Sequence, residues 1–170
     1  MRLLTEEIPT DIGTLVVAVL DDRLCSLDYA DCRRRMLVSL TRRFGVFDLQ
    51  RASDPGGLST LLRRYFQGDI EAIDAVSVET GGTTLQRRVW STLRRIPPGT
   101  TVTYRDLARD VGRPNAARAI GMINGQNPVA IVVPCHRVVG ADASPRGYAG
   151  GLWRKRWLLR HEGAVGPWAA

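Results

Sequence analysis

Residues Ile131, Val132, Val133, Pro134, Cys135, His136, Arg137 and Val138 constrain this chain more than any other stretch. The three β-branched residues read as a buried strand. Pro134 then ends the strand's hydrogen bonding and sets a fixed bend, so the next side chains can leave the core. Those side chains are a thiol beside an imidazole, with a guanidinium next to both. A lone cysteine on an apolar strand is usually a small inert hydrophobe. Activation requires the thiolate, which an adjacent base or cation favours. Neighbours on an extended chain point to opposite faces, so the pair is useful only if the backbone turns at Pro134–Cys135.

The chain has only two histidines, His136 and His161, and Glu162 comes directly after the second. Cys135, His136 and Glu162 therefore supply a candidate nucleophile, a base and a group to orient the base. The three cysteines, Cys25, Cys32 and Cys135, are too few and odd in number for a disulfide framework. No signal peptide or long apolar run is evident, and the expected location is a reducing cytoplasm. The first half contains no histidine, so Cys25 and Cys32 cannot complete a four-ligand zinc site, and no metal is expected.

The chain divides near residue 80. Leu15–Leu20 and Arg23–Tyr29 read as two strands across a tight turn. Asp31–Phe44 and Leu58–Phe66 read as helices, and Ala75–Glu79 as an edge strand. None of these segments carries chemistry. Gly81–Gly82 forms a joint. Beyond it, Thr83 or Thr84 caps a helix through Trp90 to Arg95. Thr103 with Asp106 opens a second helix that ends at Val111–Gly112. Asn115 is placed to cap a third, through Ala117, Ile120 and Ile123. The last two, with a glycine-containing turn between them, match the helix-turn-helix pattern. The third helix carries Ala116, Ala117, Ala119 and Gly121, small enough for close approach to another surface, and Arg118 as its long side chain.

Lys and Arg number 24 against 17 Asp and Glu, a net +7, which suits a polyanionic partner as well as a merely soluble basic protein. Lys155 is the only lysine.

The pentapeptide Pro134-Cys135-His136-Arg137-Val138 resembles the active-site motif of the O6-alkylguanine-DNA alkyltransferases. So do Thr84–Trp90, Pro98–Thr100, Thr103-Tyr104, Ala116–Gly121, Asn127-Pro128, Gly147–Leu152 and Leu158–Gly163, in the family's order and spacing. The likeness spans the C-terminal half; the N-terminal half resembles the family in length and general pattern. It implies an α+β chain, with residues 1–80 forming a ribonuclease-H-like sheet-and-helix lobe. Residues 81–170 would form a mostly helical DNA-binding and alkyl-acceptor domain.

The resemblance also implies the chemistry: stoichiometric transfer of an alkyl group from O6 of guanine, with O4 of thymine as a second candidate target, in double-stranded DNA to Cys135, with no cofactor. The base must leave the stack to be reached. Glu162 would orient His136, which withdraws the Cys135 proton through a water. Tyr104 would help turn the nucleotide out and then protonate the purine. Arg118 would fill the emptied stack as the helix bearing Ala117, Ala119 and Gly121 enters the minor groove. The carbonyls of Cys135 and Val138 would accept from the exocyclic amine. Tyr148 and the Ala149 N–H would face O6, Asn127 would brace the turn before the active site, and Pro145 and Arg146 would bear on pocket size. The product is a thioether, so each molecule acts once, as a monomer. Three alternatives are a lesion sensor that binds without repairing, a cysteine hydrolase built on Cys135, His136 and Glu162, and an alkyltransferase specialised for a particular adduct.

Overall fold

The computed structural model describes residues 1–168 and separates into two compact units. The first holds Met1–Gly82 together with Pro128–Val132, and the second holds Thr83–Asn127 and the chain from Val133 onward. The short apolar segment before Pro134 groups with the N-terminal unit, not the C-terminal one.

In the first unit a four-stranded sheet runs in the order β3-β2-β1-β4. Its strands are β1 (Arg2–Ile8), β2 (Leu15–Leu20), β3 (Arg23–Tyr29) and β4 (Asp48–Arg51). The first three form an antiparallel meander, and β4 pairs parallel to β1. Asp21 and Asp22 make the two-residue turn between β2 and β3, both with positive φ, 48° and 57°. Aspartate tolerates that region, and such turns match the twist of paired strands. The sequence did not signal β1 or β4. β1 mixes charge and hydrophobe without clean alternation, and β4 has four residues of which none is buried.

Helix α1 (Arg33–Phe44) is preceded by a short 3-10 turn over Ala30–Cys32, which takes the start expected at Asp31. Its Met36 and Leu40 pack with Leu3, Val16, Ala18 and Cys25 into one apolar cluster. Cys25 lies fully buried there, its Sγ 3.1 Å from the Ala18 carbonyl, and burial pushes its thiol up to about 11. It is an inert core side chain. Helix α2 (Leu58–Phe66) has the expected bounds. Of the stretch Ala75–Glu79 read as an edge strand, Ala75 ends a 3-10 turn (Ile70–Ala75), and the rest pairs with β3 only through a single parallel bridge from Val78 to Leu24.

The outer edge of β3 is covered twice. Leu24 N–H donates to Ser77 O at 2.9 Å, and Leu27 N–H donates to Pro128 O at 3.0 Å. Ala130 N–H returns a bond to Leu27 O at 3.0 Å. The edge is thus closed to further pairing.

The second unit contains α3 (Thr84–Leu93), α4 (Tyr104–Asp110), α5 (Ala117–Gly125) and α6 (Leu152–His161). A two-residue parallel pair joins β5 (Val102–Thr103) to β6 (Val138–Val139). Thr83 with Gln86 and Thr103 with Asp106 form capping boxes on α3 and α4. Asn115 makes no cap: α5 begins after Ala116, with no side chain bonded to its N-terminus. Ile120 N–H makes the first bond of the helix, to Ala116 O at 2.9 Å. Trp90 is packing, as its burial shows, and its indole N–H also holds Ile123 O at 3.1 Å.

Because Leu40 is fully enclosed in the sheet-facing cluster, Leu40→Ala should lower unfolding free energy by about 2–5 kcal/mol. Urea unfolding of the variant against the parent measures it.

Candidate active site

The apolar run before Cys135 is buried, but it is not a strand. Ile131 sits at φ 70°, Val132 N–H bonds back to Ala130 O at 2.8 Å, and Cys135 N–H bonds to Val133 O at 2.8 Å. The chain descends through consecutive tight turns, because Val129 is already bridged to β3 and the residues after it must reverse. Asn127 Nδ2 donates to Val133 O at 2.7 Å and braces this descent. Cys135–Arg137 then form one turn of 3-10 helix, so the required turn at Pro134–Cys135 exists. Cys135 is buried but not sealed, with 7% of its surface open.

His136 is fully enclosed. Its Nε2 lies 2.9 Å from Glu162 Oε1. An ionised carboxylate only accepts, so Nε2 carries the proton and Nδ1 keeps its lone pair. Nδ1 is buried and bonded to none of the described residues. Burial holds the imidazole below its ordinary 6.5, against the opposing pull of Glu162, with Arg137 and Lys155 adding to the depression. The ring is therefore neutral at pH 7, the form that can take a proton.

Glu162 caps the end of α6, and its carboxylate serves two partners. Arg137 forks onto it, Nε to Oε2 at 2.8 Å and a terminal nitrogen to Oε1 at 2.9 Å, while the other terminal nitrogen holds Ile96 O at 2.5 Å. Burial raises the carboxyl, but His136 and the Arg137 fork outweigh it and hold the group well below the usual carboxylate range. Arg137 is thus tied to Glu162, not extended beside the thiol as a loose cation. His161 stacks on Trp157 with ring centroids 4.6 Å apart.

Tyr104 opens α4 and its hydroxyl donates to Arg146 O at 2.8 Å. Burial, then the charge of Cys135, raises its phenol, which stays protonated at neutral pH. Val138 heads β6, and Tyr148 and Ala149 come after the loop that contains Arg146. On α5, Arg118 and Ala119 are exposed while Ala117 is half-buried. Gly121 faces inward: a Cβ there would sit 3.2 Å from the Tyr104 ring, so its smallness seats α5 on Tyr104. The exposed face is completed by Met122, 64% open and one turn beyond Arg118.

With this geometry in place, comparison with known proteins is decisive. A profile of the family described as 6-O-methylguanine DNA methyltransferase, DNA binding domain, matches residues 84–164. A methylated-DNA–protein-cysteine methyltransferase of Shigella flexneri is 48% identical over 167 residues, spanning 96% of this chain and 97% of the relative. The chain belongs to the methylated-DNA–protein-cysteine methyltransferase family. A protein of the same name from Salmonella typhimurium is equally similar, 48% over 167 residues, with the same coverage of both chains. The crystal structure of Mycobacterium tuberculosis O6-methylguanine methyltransferase matches with TM-score 0.74 at 34% identity, over 98% of this chain and 94% of that one. The Mycobacterium tuberculosis OGT in complex with DNA matches with TM-score 0.75 at 36% identity, over 96% and 93% of the two chains. The mixed α+β architecture expected of such a methyltransferase is the one observed.

Lys155 is the methyltransferase residue that sequence reasoning passed over. It is fully buried on α6, and Nζ donates to Val138 O at 2.5 Å and Arg146 O at 2.7 Å. Burial lowers it to about 8, while the charge of Cys135 pulls the other way. A single lysine amid 23 arginines was the available signal: where arginine is the default cation, a lysine marks a place that needs a compact ammonium.

Removing the shared carboxylate charge should be costly. Glu162→Gln is expected to lose about 3–5 kcal/mol, since Arg137 is left buried without its counter-charge. In the parent, the folded carboxyl titrates below 4.5, so its stabilisation is complete above that pH and lost as acid passes through the lower folded value. That acid-dependent component should vanish from the variant in urea titrations at several pH values.

Proposed function

We propose that Cys135 is the alkyl acceptor and His136 its base, in a methyltransferase that repairs O6-alkylated guanine in double-stranded DNA. The observation that carries this is the His136 ring: neutral, fixed through Nε2 to Glu162, with Nδ1 spent on no described protein group and the thiol on the adjacent residue. The thiol proton passes through a water to Nδ1, and Glu162 stabilises the imidazolium that results. The thiolate attacks the alkyl carbon in line. The bond to O6 breaks, and its electron pair goes to the purine.

Tyr104 supplies the proton that makes the purine a better leaving group. Its single O–H is committed to Arg146 O in this structure, so that bond breaks when the proton is handed over. Lys155 remains on the same carbonyl and keeps it satisfied. Lys155 also occupies one acceptor direction of Val138 O, and Asn124 Nδ2 lies 3.4 Å from Cys135 O. Each carbonyl has a second lone pair for the guanine amine. Tyr148 and Ala149 wall the pocket, and Asn127 holds the descent to Cys135.

Double-stranded DNA is the partner, and the exposed face of α5 is the surface that meets it. Arg118 and Met122 stand out from a helix otherwise made of small residues on that side. Arginine reads the minor groove by charge, and an apolar side chain beside it serves as a wedge between base steps. The protein acts as a monomer in a reducing cytoplasm; none of its three cysteines is in a disulfide. No helix among the described residues is long and apolar enough to cross a membrane.

The product is a thioether with no easy leaving step, so one chain repairs one lesion. Intact mass after mixing with methylated duplex should rise by one methyl replacing one hydrogen, and Cys135→Ala should show no rise while still binding DNA. Multiple lesions cleared per chain would overturn the stoichiometric mechanism. Arg118→Ala should slow repair of duplex by about 10–100-fold, the scale of losing a few kcal/mol of stack stabilisation, and should affect free-base reaction much less.

A further inference from the structure

The loop Gly140–Gly147, which leads into Tyr148 and Ala149, is bonded to itself. Gly140 N–H donates to Ser144 O and Ala143 N–H to Gly140 O, each at 2.9 Å. Asp142 Oδ1 accepts from the Ser144 N–H at 3.1 Å and from its hydroxyl at 2.6 Å. Arg146 Nε donates to Ser144 Oγ at 2.8 Å, and a terminal nitrogen reaches Asp142 Oδ2 at 3.0 Å. The three side chains close on Gly140. A Cβ there would lie 2.7 Å from Asp142 Oδ1, 2.9 Å from Arg146 Nε and 3.0 Å from Ser144 Oγ.

Arg146 is also held by its main chain. Its carbonyl accepts from Tyr104 at 2.8 Å and from Lys155 at 2.7 Å. The Tyr104 hydroxyl lies 3.5 Å from where a Cβ on Gly147 would be, so the backbone passes directly against it. Tyr104 and Lys155, the two groups that hold this carbonyl, both feel the charge of Cys135. Arg146 is therefore gripped at both ends, by Asp142 and Ser144 outside and by Tyr104 and Lys155 inside.

We propose that Asp142, Ser144 and Arg146 form a brace that fixes the rim of the pocket and sets the alkyl size the protein accepts, favouring methyl over bulky groups. The proposal rests on the reading of Cys135 as acceptor and of Tyr148 and Ala149 as pocket wall. A methyl group on O6 asks little of the rim. A ring-sized group must displace it, and the rim yields only if Arg146 lets go. Each bond is exposed and modest alone, but all converge on one residue, so loss of any one loosens the whole. Without them the loop keeps only two backbone bonds, Gly140 N–H to Ser144 O and Ala143 N–H to Gly140 O, to hold its shape. Asp142 and Ser144 act through Arg146 and are positioning residues.

The test is single-turnover transfer, read by intact mass, from duplexes carrying O6-methylguanine or O6-benzylguanine. Wild type is compared with Asp142→Ala, Ser144→Ala, Arg146→Ala and the double variant Asp142→Ala/Arg146→Ala. Each single substitution should raise the benzyl-to-methyl rate ratio about 10-fold, the scale on which pockets discriminate by size. The double variant should match the singles, because the two residues act through one contact. A ratio unchanged in Asp142→Ala and Ser144→Ala, or a double variant equal to the product of the singles, would overturn the brace. Cys135→Ala, run alongside, reports on the underlying reading separately: methyl uptake by that variant would remove the acceptor assignment itself.

Discussion

A single buried carboxylate organises the active site. Glu162 is placed at the end of α6, out of solvent, and carries two demands at once: the Nε2–H of His136 and the fork of Arg137. A charge in that position is tolerable only if its counter-charge is equally well placed. Arg137 provides it and also bonds Ile96 O, so the turn holding Cys135 is fastened both to α6 and to the end of α3. The result is an imidazole whose tautomer, orientation and neutrality are all decided by its immediate surroundings. In the mechanism proposed above, the competence of the thiol depends on this ion pair.

A second set of contacts extends from that centre to the pocket. Lys155 lies about two turns before Glu162 on the same helix and bonds the carbonyls of Val138 and Arg146. Tyr104 bonds the same Arg146 carbonyl. Tyr104, the rim loop and β6 are therefore coupled through shared acceptors, and Lys155 Nζ also lies 5.9 Å from the centroid of the Tyr104 ring. In the reaction proposed above, such sharing lets Tyr104 leave for the substrate without stranding the carbonyl, since Lys155 remains. It is a low-cost way to keep a reactive group in reserve.

Much of the C-terminal half was legible because its signals are local. Thr83 with Gln86 and Thr103 with Asp106 are capping pairs whose spacing states the geometry. The bounds of α2 came from its apolar periodicity and the glycine beyond it. The misses were non-local. β4 has no buried residue and exists because β1 offers it a parallel partner. The apolar Ile131–Val133 run reads as a strand by composition, yet its place beside β3 is filled by Pro128–Ala130 and the chain must turn. Asn115 has the right chemistry for a cap and the wrong backbone context.

Amino-acid order alone determined the chemical kit: a thiol beside an imidazole after a proline, a carboxylate near the end of the chain, and a helix of small residues with one arginine. Those features are covalent neighbours or fall at helical spacing, and short-range sterics express them without help. Tertiary structure decided who partners whom. That Glu162 serves Arg137 as well as His136, that the lone lysine is buried among carbonyls, and that Gly121 faces Tyr104 all depend on burial and on segments far apart in the chain. Desolvation sets the charge states there, and no local pattern records how much water a folded chain will exclude.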